Sequence, residues 1–269
     1  MNPSVLFVFI LSILLGVLRA ADLAFGTDAV TGLCVVGSVW WRYLALGIVV
    51  LAAVLVGRTQ PSRSEAVRSR RPLAGILAFV GAVCFLAAAG AQIALGAASG
   101  LGGFVRCILE CLCSAWLSTM GRCWLSPNEW KKPFGGLYLA VAGSLLFYWN
   151  VLLRFMENSS SWHRVEPTAM VWQMLAALVF LSAMVRALWL PETSNGCQLC
   201  EAGICTFLLC FCWELPRVLV LLFHGITVAD LPEVLFGFGM CCIGALGLFT
   251  VARVAGSDGR PAIPRHAVG

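Results

Sequence analysis

Two apolar segments of the chain each carry an arginine and a glutamate at helical spacing. Arg106 and Glu110 are four residues apart and Glu214 and Arg217 are three apart, so each pair shares one helix face. A charge at the centre of a bilayer costs about 2.5–3.5 kcal/mol, whereas each Leu, Ile, Phe or Val returns only about 0.3–0.6 kcal/mol. Ionisable residues within a membrane therefore indicate a functional site by default. The chemistry open to such pairs is the recognition of a small polar ligand.

The two pairs are predicted to lie at the same depth in the membrane. With a rise of about 1.5 Å per residue, Glu110 lies about 13 Å below Leu101 and Glu214 about 15 Å below His224, both at the outer ends of their segments. Because the two segments run in opposite directions, we expect the four charges to neutralise one another across the helices. Polar residues of three other apolar segments are expected at a similar height, namely Gln92, Asn150 and Gln173.

These seven residues predict a polar cavity in the outer half of a helical bundle, with a small polar or zwitterionic ligand. Pro216, which removes a backbone hydrogen bond beside Glu214, would expose a carbonyl group to that cavity. The alternative interpretation is an ion-pair network that only fixes helix register, since charges that cancel one another require no ligand. Both interpretations fit the sequence.

Thirteen cysteines form the second group of candidate residues. Cys197 and Cys200 make a C-x-x-C pair that could act as a thiol redox couple. A zinc site would need two further ligands, and Cys205 is the only obvious third. The remaining cysteines lie mostly in apolar segments, where small residues pack between helices. We predict no metal and no cofactor.

The composition places these residues in a membrane protein. Of 269 residues, 60% are hydrophobic and 12% charged, whereas soluble domains average about 45–50% and about 25%. Eight apolar segments of spanning length fill nearly the whole chain. We therefore predict an all-α, polytopic transmembrane bundle of eight helices that forms one membrane domain over residues 1–269. The segments are 5–18, 40–56, 73–98, 101–125, 136–153, 168–190, 203–223 and 234–254.

The first apolar segment has a second interpretation as a cleaved signal peptide, which would leave seven helices. Against cleavage, no basic side chain precedes the segment, and its apolar character resumes through Phe25. A retained helix is the preferred prediction.

The distribution of lysine and arginine predicts that both chain ends lie in the cytoplasm, because basic residues favour the inner side. Residues 58–71 then form a basic cytoplasmic loop and residues 255–269 a short cytoplasmic tail. The inner side holds Arg58, Arg63, Arg68, Arg70, Arg71, Arg122, Lys131, Lys132, Arg186, Arg253, Arg260 and Arg265. The outer side holds only Arg19, Arg42, Arg154 and Arg164, together with the glycosylation triplet that begins at Asn158.

The leading functional hypothesis is a small-molecule transporter or ligand-binding membrane component. The alternatives are a membrane-embedded thiol or quinone oxidoreductase that uses Cys197 and Cys200, and a non-catalytic membrane subunit or assembly factor. Expected partners are the lipid bilayer, a small polar ligand and other membrane subunits. Nucleic acid is excluded because no basic run carries interleaved aromatic residues on a soluble face. The plasma or cell membrane is the expected location.

Haem held by two helical histidines and a retinal Schiff base are excluded, since no histidine or lysine is mid-span.

Overall fold

A computed structural model describes residues 2–28, 33–60, 65–98, 100–126, 133–156, 165–190, 196–223 and 227–256, and eight long helices make up this part of the protein. Each helix is long and apolar enough to cross a bilayer, which confirms the predicted all-α bundle. The helices, numbered first to eighth, are Pro3–Ala21, Val39–Arg58, Pro72–Ala94, Gly100–Leu125, Gly136–Met156, Val165–Trp189, Gly196–Phe223 and Leu231–Gly256.

Local sequence signals determine where the first three helices begin. Pro3 and Pro72 lie in the first turn of the first and third helices, where the missing N–H has no intrahelical acceptor to lose. Asn2 and Ser38 cap the first and second helices, because each side-chain oxygen accepts a hydrogen bond from the backbone N–H two residues later.

The eighth helix lies at the centre of the bundle and is its most buried helix, in contact with the third, sixth and seventh helices. The fourth helix packs against the third and fifth, the fifth against the sixth, and the first and second against the seventh. Glycine allows the closest approach: a Cβ atom on Gly247 would lie 2.6 Å from the carbonyl oxygen of Gly203 on the seventh helix. The largest fully buried side chains are Phe85, Trp116, Trp124, Phe147 and Phe180.

The outer surface of the bundle is covered by large apolar side chains. Phe7, Ile48, Val83, Leu101 and Val141, from five different helices, are each at least half exposed. An apolar surface of this extent is unfavourable in water and suits contact with acyl chains. The chain is thus a multi-pass integral membrane protein whose surroundings are the lipid bilayer.

Each of the last four helices, the fifth to the eighth, extends by three or more residues beyond the segment that hydropathy predicts. Polar first and last turns continue the helical hydrogen bonding without adding to the apolar run. As a result, Glu166 and Glu233 belong to helices, and the C-x-x-C pair lies at the start of the seventh helix. The extended ends are Met156 of the fifth helix, Val165 of the sixth, Gly196 of the seventh and Leu231 of the eighth.

The described part of the basic loop over residues 58–71 is folded against the helix ends. The Arg68 guanidinium donates a hydrogen bond of 2.6 Å to the carbonyl oxygen of Leu188, and so satisfies an acceptor at the end of the sixth helix. Burial, with a smaller contribution from Arg253, lowers the pKa of Arg71 to about 10. Residues 61–64, the triplet at Asn158 and the tail from residue 257 lie outside the described residues. The cytoplasmic location of this side stays a prediction.

The first helix is packed into the bundle at several depths. Val5 and Phe9 are buried, and a Cβ atom on Gly16 would lie 2.6 Å from the carbonyl oxygen of Cys212 on the seventh helix. Beyond its end, Asp22 accepts hydrogen bonds of 2.9 Å from Arg19 and from Nε of Arg42 on the second helix. These contacts favour the prediction that the first helix is retained.

Candidate ligand-binding site

Glu110 lies at the interface of the third and fourth helices with no exposed surface. Its Oε1 atom accepts hydrogen bonds of 2.9 Å from Gln92 Nε2 and 3.0 Å from Arg106 Nε. The second carboxylate oxygen lies 3.1 Å from the same Gln92 nitrogen. The four-residue spacing places Arg106 and Glu110 on one face, and the third helix supplies the amide. This carboxylate is therefore bound by Arg106 of its own helix and by Gln92 of the third helix.

The Arg106 side chain extends from the Glu110 pair toward the eighth helix. Its guanidinium carbon lies 4.9 Å from the ring centroid of Phe236, a cation–π arrangement. The side chain is 25% exposed, in contrast to the fully buried Glu110. Arg106 thus connects the buried carboxylate to the space between the fourth and eighth helices.

Glu214 and Arg217 form the second predicted pair on the seventh helix, and both are buried. The Arg217 guanidinium donates to Oε1 of Glu214 from Nη2 at 2.5 Å and from Nε at 2.9 Å. Gln173 of the sixth helix donates to Oε2 of the same carboxylate at 2.9 Å. Both carboxylate oxygens therefore accept hydrogen bonds from charged or amide donors.

Two further carboxylates approach Arg217 from neighbouring helices. Nη1 of Arg217 lies 3.5 Å from Glu166 of the sixth helix and 3.7 Å from Glu233 of the eighth. Both glutamates lie in the first turn of their helices, where the helix dipole favours a negative charge. Arg217 is thus the shared partner of three carboxylates. Among the described residues, the ion pairs of this cluster that join different helices are those of Arg217 with Glu166 and Glu233. The sequence instead predicted that charges of the fourth and seventh helices would neutralise one another.

A π-helical segment, Phe207–Trp213, immediately precedes Glu214. Pro216 has no N–H, so the carbonyl group of Cys212 lacks the donor that an α-helix would supply four residues later. Gln173 donates a second hydrogen bond, of 3.1 Å, to the carbonyl oxygen of Leu209 within the segment. The π-helical turns of proteins are frequently found at functional sites. Gln173 holds both this segment and the carboxylate that follows it.

One cavity is bordered by Arg106 of the first predicted pair and by both residues of the second pair. Its volume is about 130 Å³, close to the engineered cavity of about 150 Å³ that binds benzene. Of the predicted residues, five border it and two, Glu110 and Gln92, lie behind Arg106. The lining residues come from the fourth to the eighth helices: Arg106, Asn150, Leu153, Arg154, Met170, Gln173, Met174, Glu214, Arg217, Glu233, Phe236 and Met240.

Sequence reasoning did not select three charged residues of this region, Arg154, Glu166 and Glu233. All three were assigned to loops or loop ends, whereas the structure places them in terminal turns of the fifth, sixth and eighth helices. An acidic residue at the start of an apolar segment is a recognised signal for a helix N-terminus. That signal was present at both glutamates. The apolar wall of methionines and Phe236 has no distinguishing pattern in the sequence.

The C-x-x-C pair lies at the opposite end of the bundle. Cys197 donates a hydrogen bond of 3.0 Å to the carbonyl oxygen of Gln60, while Cys200 is fully buried. Both are free thiols in the structure. Within the described ranges, no group of three or more His, Cys, Asp or Glu side chains could hold a metal ion. The redox role of Cys197 and Cys200 stays a prediction.

The architecture defines the class of the protein as a multi-pass α-helical membrane protein with a charged cavity inside the bundle. Comparison of the chain with protein-family models, curated proteins and solved structures found no match.

Proposed function

We propose that the protein is a small-molecule transporter or ligand-binding component of the plasma membrane, and that its ligand occupies the charged cavity. The observation that carries this proposal is a space of about 130 Å³ among five helices that is lined by three arginines and two glutamates. A scaffold alone would need only the ion pairs. The interior of a protein is normally filled by side chains, because an empty space loses van der Waals contacts.

The cavity also has a route to one side of the membrane. Glu166 and Glu233, next to Arg217, have side chains that are 39% and 58% exposed, so the space lies near the helix ends that the arginine distribution predicts to be external. Under this topology the ligand enters from outside the cell. Each helix that borders the cavity contributes at least one polar or charged side chain, which favours a polar ligand over a lipid.

The experiment is a thermal denaturation screen of the purified protein in detergent. The probes are glycine, alanine, betaine, propionate, lactate, ethylamine, urea and glycerol, each at millimolar concentration. A ligand at one hundred times its dissociation constant stabilises the folded state by about 2.7 kcal/mol. We expect at least one probe to raise the unfolding temperature measurably.

A pair of matched variants assigns the effect to the cavity. Met174→Trp places a bulky ring in the cavity wall, whereas Leu175→Trp changes the next residue of the same helix, whose side chain is 43% exposed. Stabilisation should disappear in Met174→Trp and persist in Leu175→Trp. If no probe stabilises the native protein, or if both variants respond as the native protein does, the cavity is not a ligand site.

A further inference from the structure

We propose that the cavity selects a small zwitterionic amino acid, whose carboxylate binds Arg106 and whose ammonium group binds Glu233. This inference rests on the proposed function, since it names the ligand class of the same cavity. Its basis is that the charged groups lining the cavity differ in how fully they are bound by hydrogen-bond and ion-pair partners within the protein.

Arg106 has hydrogen-bond donors to spare. Its Nε atom is bound to Glu110 and its guanidinium lies against Phe236, but among the described residues neither terminal nitrogen, Nη1 or Nη2, has an acceptor. A guanidinium presents a planar fork that matches the geometry of a carboxylate. The side chain borders the cavity and is 25% exposed, so these donors are accessible to an incoming carboxylate.

Arg217, in contrast, is not available to an anionic ligand. Its guanidinium is shared among Glu214, Glu166 and Glu233 at 2.5, 3.5 and 3.7 Å. Glu214 in turn is bound by Arg217 and by Gln173. The hydrogen-bonding groups of Glu214 and Arg217 are therefore already used by other side chains. A ligand must bind to other groups that line the cavity.

Glu233 is the carboxylate best placed to receive a cation. It is the more loosely held of the two lining glutamates, at 3.7 Å from Arg217 and 58% exposed. Glu233 precedes Phe236 by three residues on the eighth helix, so it lies on the same face and about 4.5 Å along the axis. Because Arg106 stacks on Phe236, the cationic and anionic groups are about one helical turn apart along the cavity.

The size of the cavity and the opposite signs of its two available groups suit a small zwitterion. The Arg106 guanidinium and the Glu233 carboxylate both border the cavity, so a ligand that carries one negative and one positive group can pair with each of them. The volume of about 130 Å³ accommodates roughly six non-hydrogen atoms, by comparison with the cavity that binds benzene. Leu153, Met170, Met174 and Met240 would contact a short apolar side chain.

The test measures binding of tritiated alanine to the purified full-length protein, with propionate and ethylamine as competitors that each keep one of its two charged groups. Arg106→Gln should weaken competition by propionate about tenfold or more while competition by ethylamine is unchanged. Glu233→Gln should show the reverse pattern. The matched controls are Arg122→Gln, at the far end of the same helix as Arg106, and Asp230→Asn, one turn before Glu233; both should bind as the native protein does.

Crossed effects of this kind would support the assignment. Equal weakening of both competitors by each variant would overturn it, as would the absence of alanine binding by a protein that another probe stabilises through the cavity. In that last case the proposed function stands and only the ligand class fails. If Met174→Trp changes the response to no probe, the proposed function fails as well.

Discussion

Replacement of Arg217 should destabilise the protein more than replacement of its principal partner, Glu214. Arg217→Gln removes the one cation that serves three carboxylates, and it leaves Glu214, 2% exposed, with Gln173 as its remaining described partner. Removal of one partner from a buried ion pair costs about 3–5 kcal/mol, because the other charge stays buried and uncompensated.

Glu214→Gln leaves Arg217 with Glu166 at 3.5 Å and Glu233 at 3.7 Å. The cost should then be close to that of weakened hydrogen bonds, about 1–2 kcal/mol. The double variant should cost little more than Glu214→Gln alone, since no uncompensated carboxylate is left at the centre of the site.

Reversible unfolding in mixed micelles, followed by far-UV circular dichroism as denaturing detergent is added, measures all three variants. A double-mutant cycle then gives the coupling between the two residues, expected at about 3 kcal/mol in favour of the native pair, because the double variant avoids most of the cost of Arg217→Gln. If Arg217→Gln costs no more than Glu214→Gln, Arg217 is not the shared partner of three carboxylates and the description of the site is wrong.

Three further predictions test the architecture. Gly16→Ala should cost about 1–3 kcal/mol through overpacking, because its Cβ atom would lie 2.6 Å from the Cys212 carbonyl oxygen. The control is Gly47→Ala, whose Cβ atom would meet no neighbouring side chain or helix within 4 Å. It should be neutral or slightly stabilising in the same unfolding assay. Equal effects would argue against close packing of a retained first helix. A bulky maleimide should label Cys197 much faster than the fully buried Cys200 in the folded protein, as quantified by peptide mass spectrometry; equal rates would contradict the burial. Because the C-terminus is predicted to lie in the cytoplasm, a fluorescent protein fused there should be fluorescent and an alkaline phosphatase fused there should be inactive. An active phosphatase would contradict the predicted topology.

The polar part of the site was accessible to sequence reasoning to an unusual extent. Arginine and glutamate are so costly within an apolar segment that their presence alone identifies Arg106, Glu110, Glu214 and Arg217 as residues with partners inside the bundle. Helical spacing then gives the pairing along each helix, since three or four residues separate side chains on one face. The structure contains both of these pairs.

The partners from other helices were less accessible. Glu166 and Glu233 lie in polar first turns, where hydropathy cannot distinguish a helix from a loop, and their approach to Arg217 depends on how the sixth and eighth helices pack. The π-helical segment before Glu214 was also unforeseen, although Pro216 supplied its backbone cause.

The sequence by itself determined that the chain spans a membrane eight times, because the free energy of transfer into lipid is a sum over residues that are contiguous in the chain. Only the tertiary structure decided that the fourth to eighth helices border one cavity, which charged side chains line it, and how those side chains pair with one another. These properties depend on contacts between residues more than a hundred positions apart, such as Arg106 and Phe236, and packing between helices in a bilayer depends on how the side chains of different helices fit together.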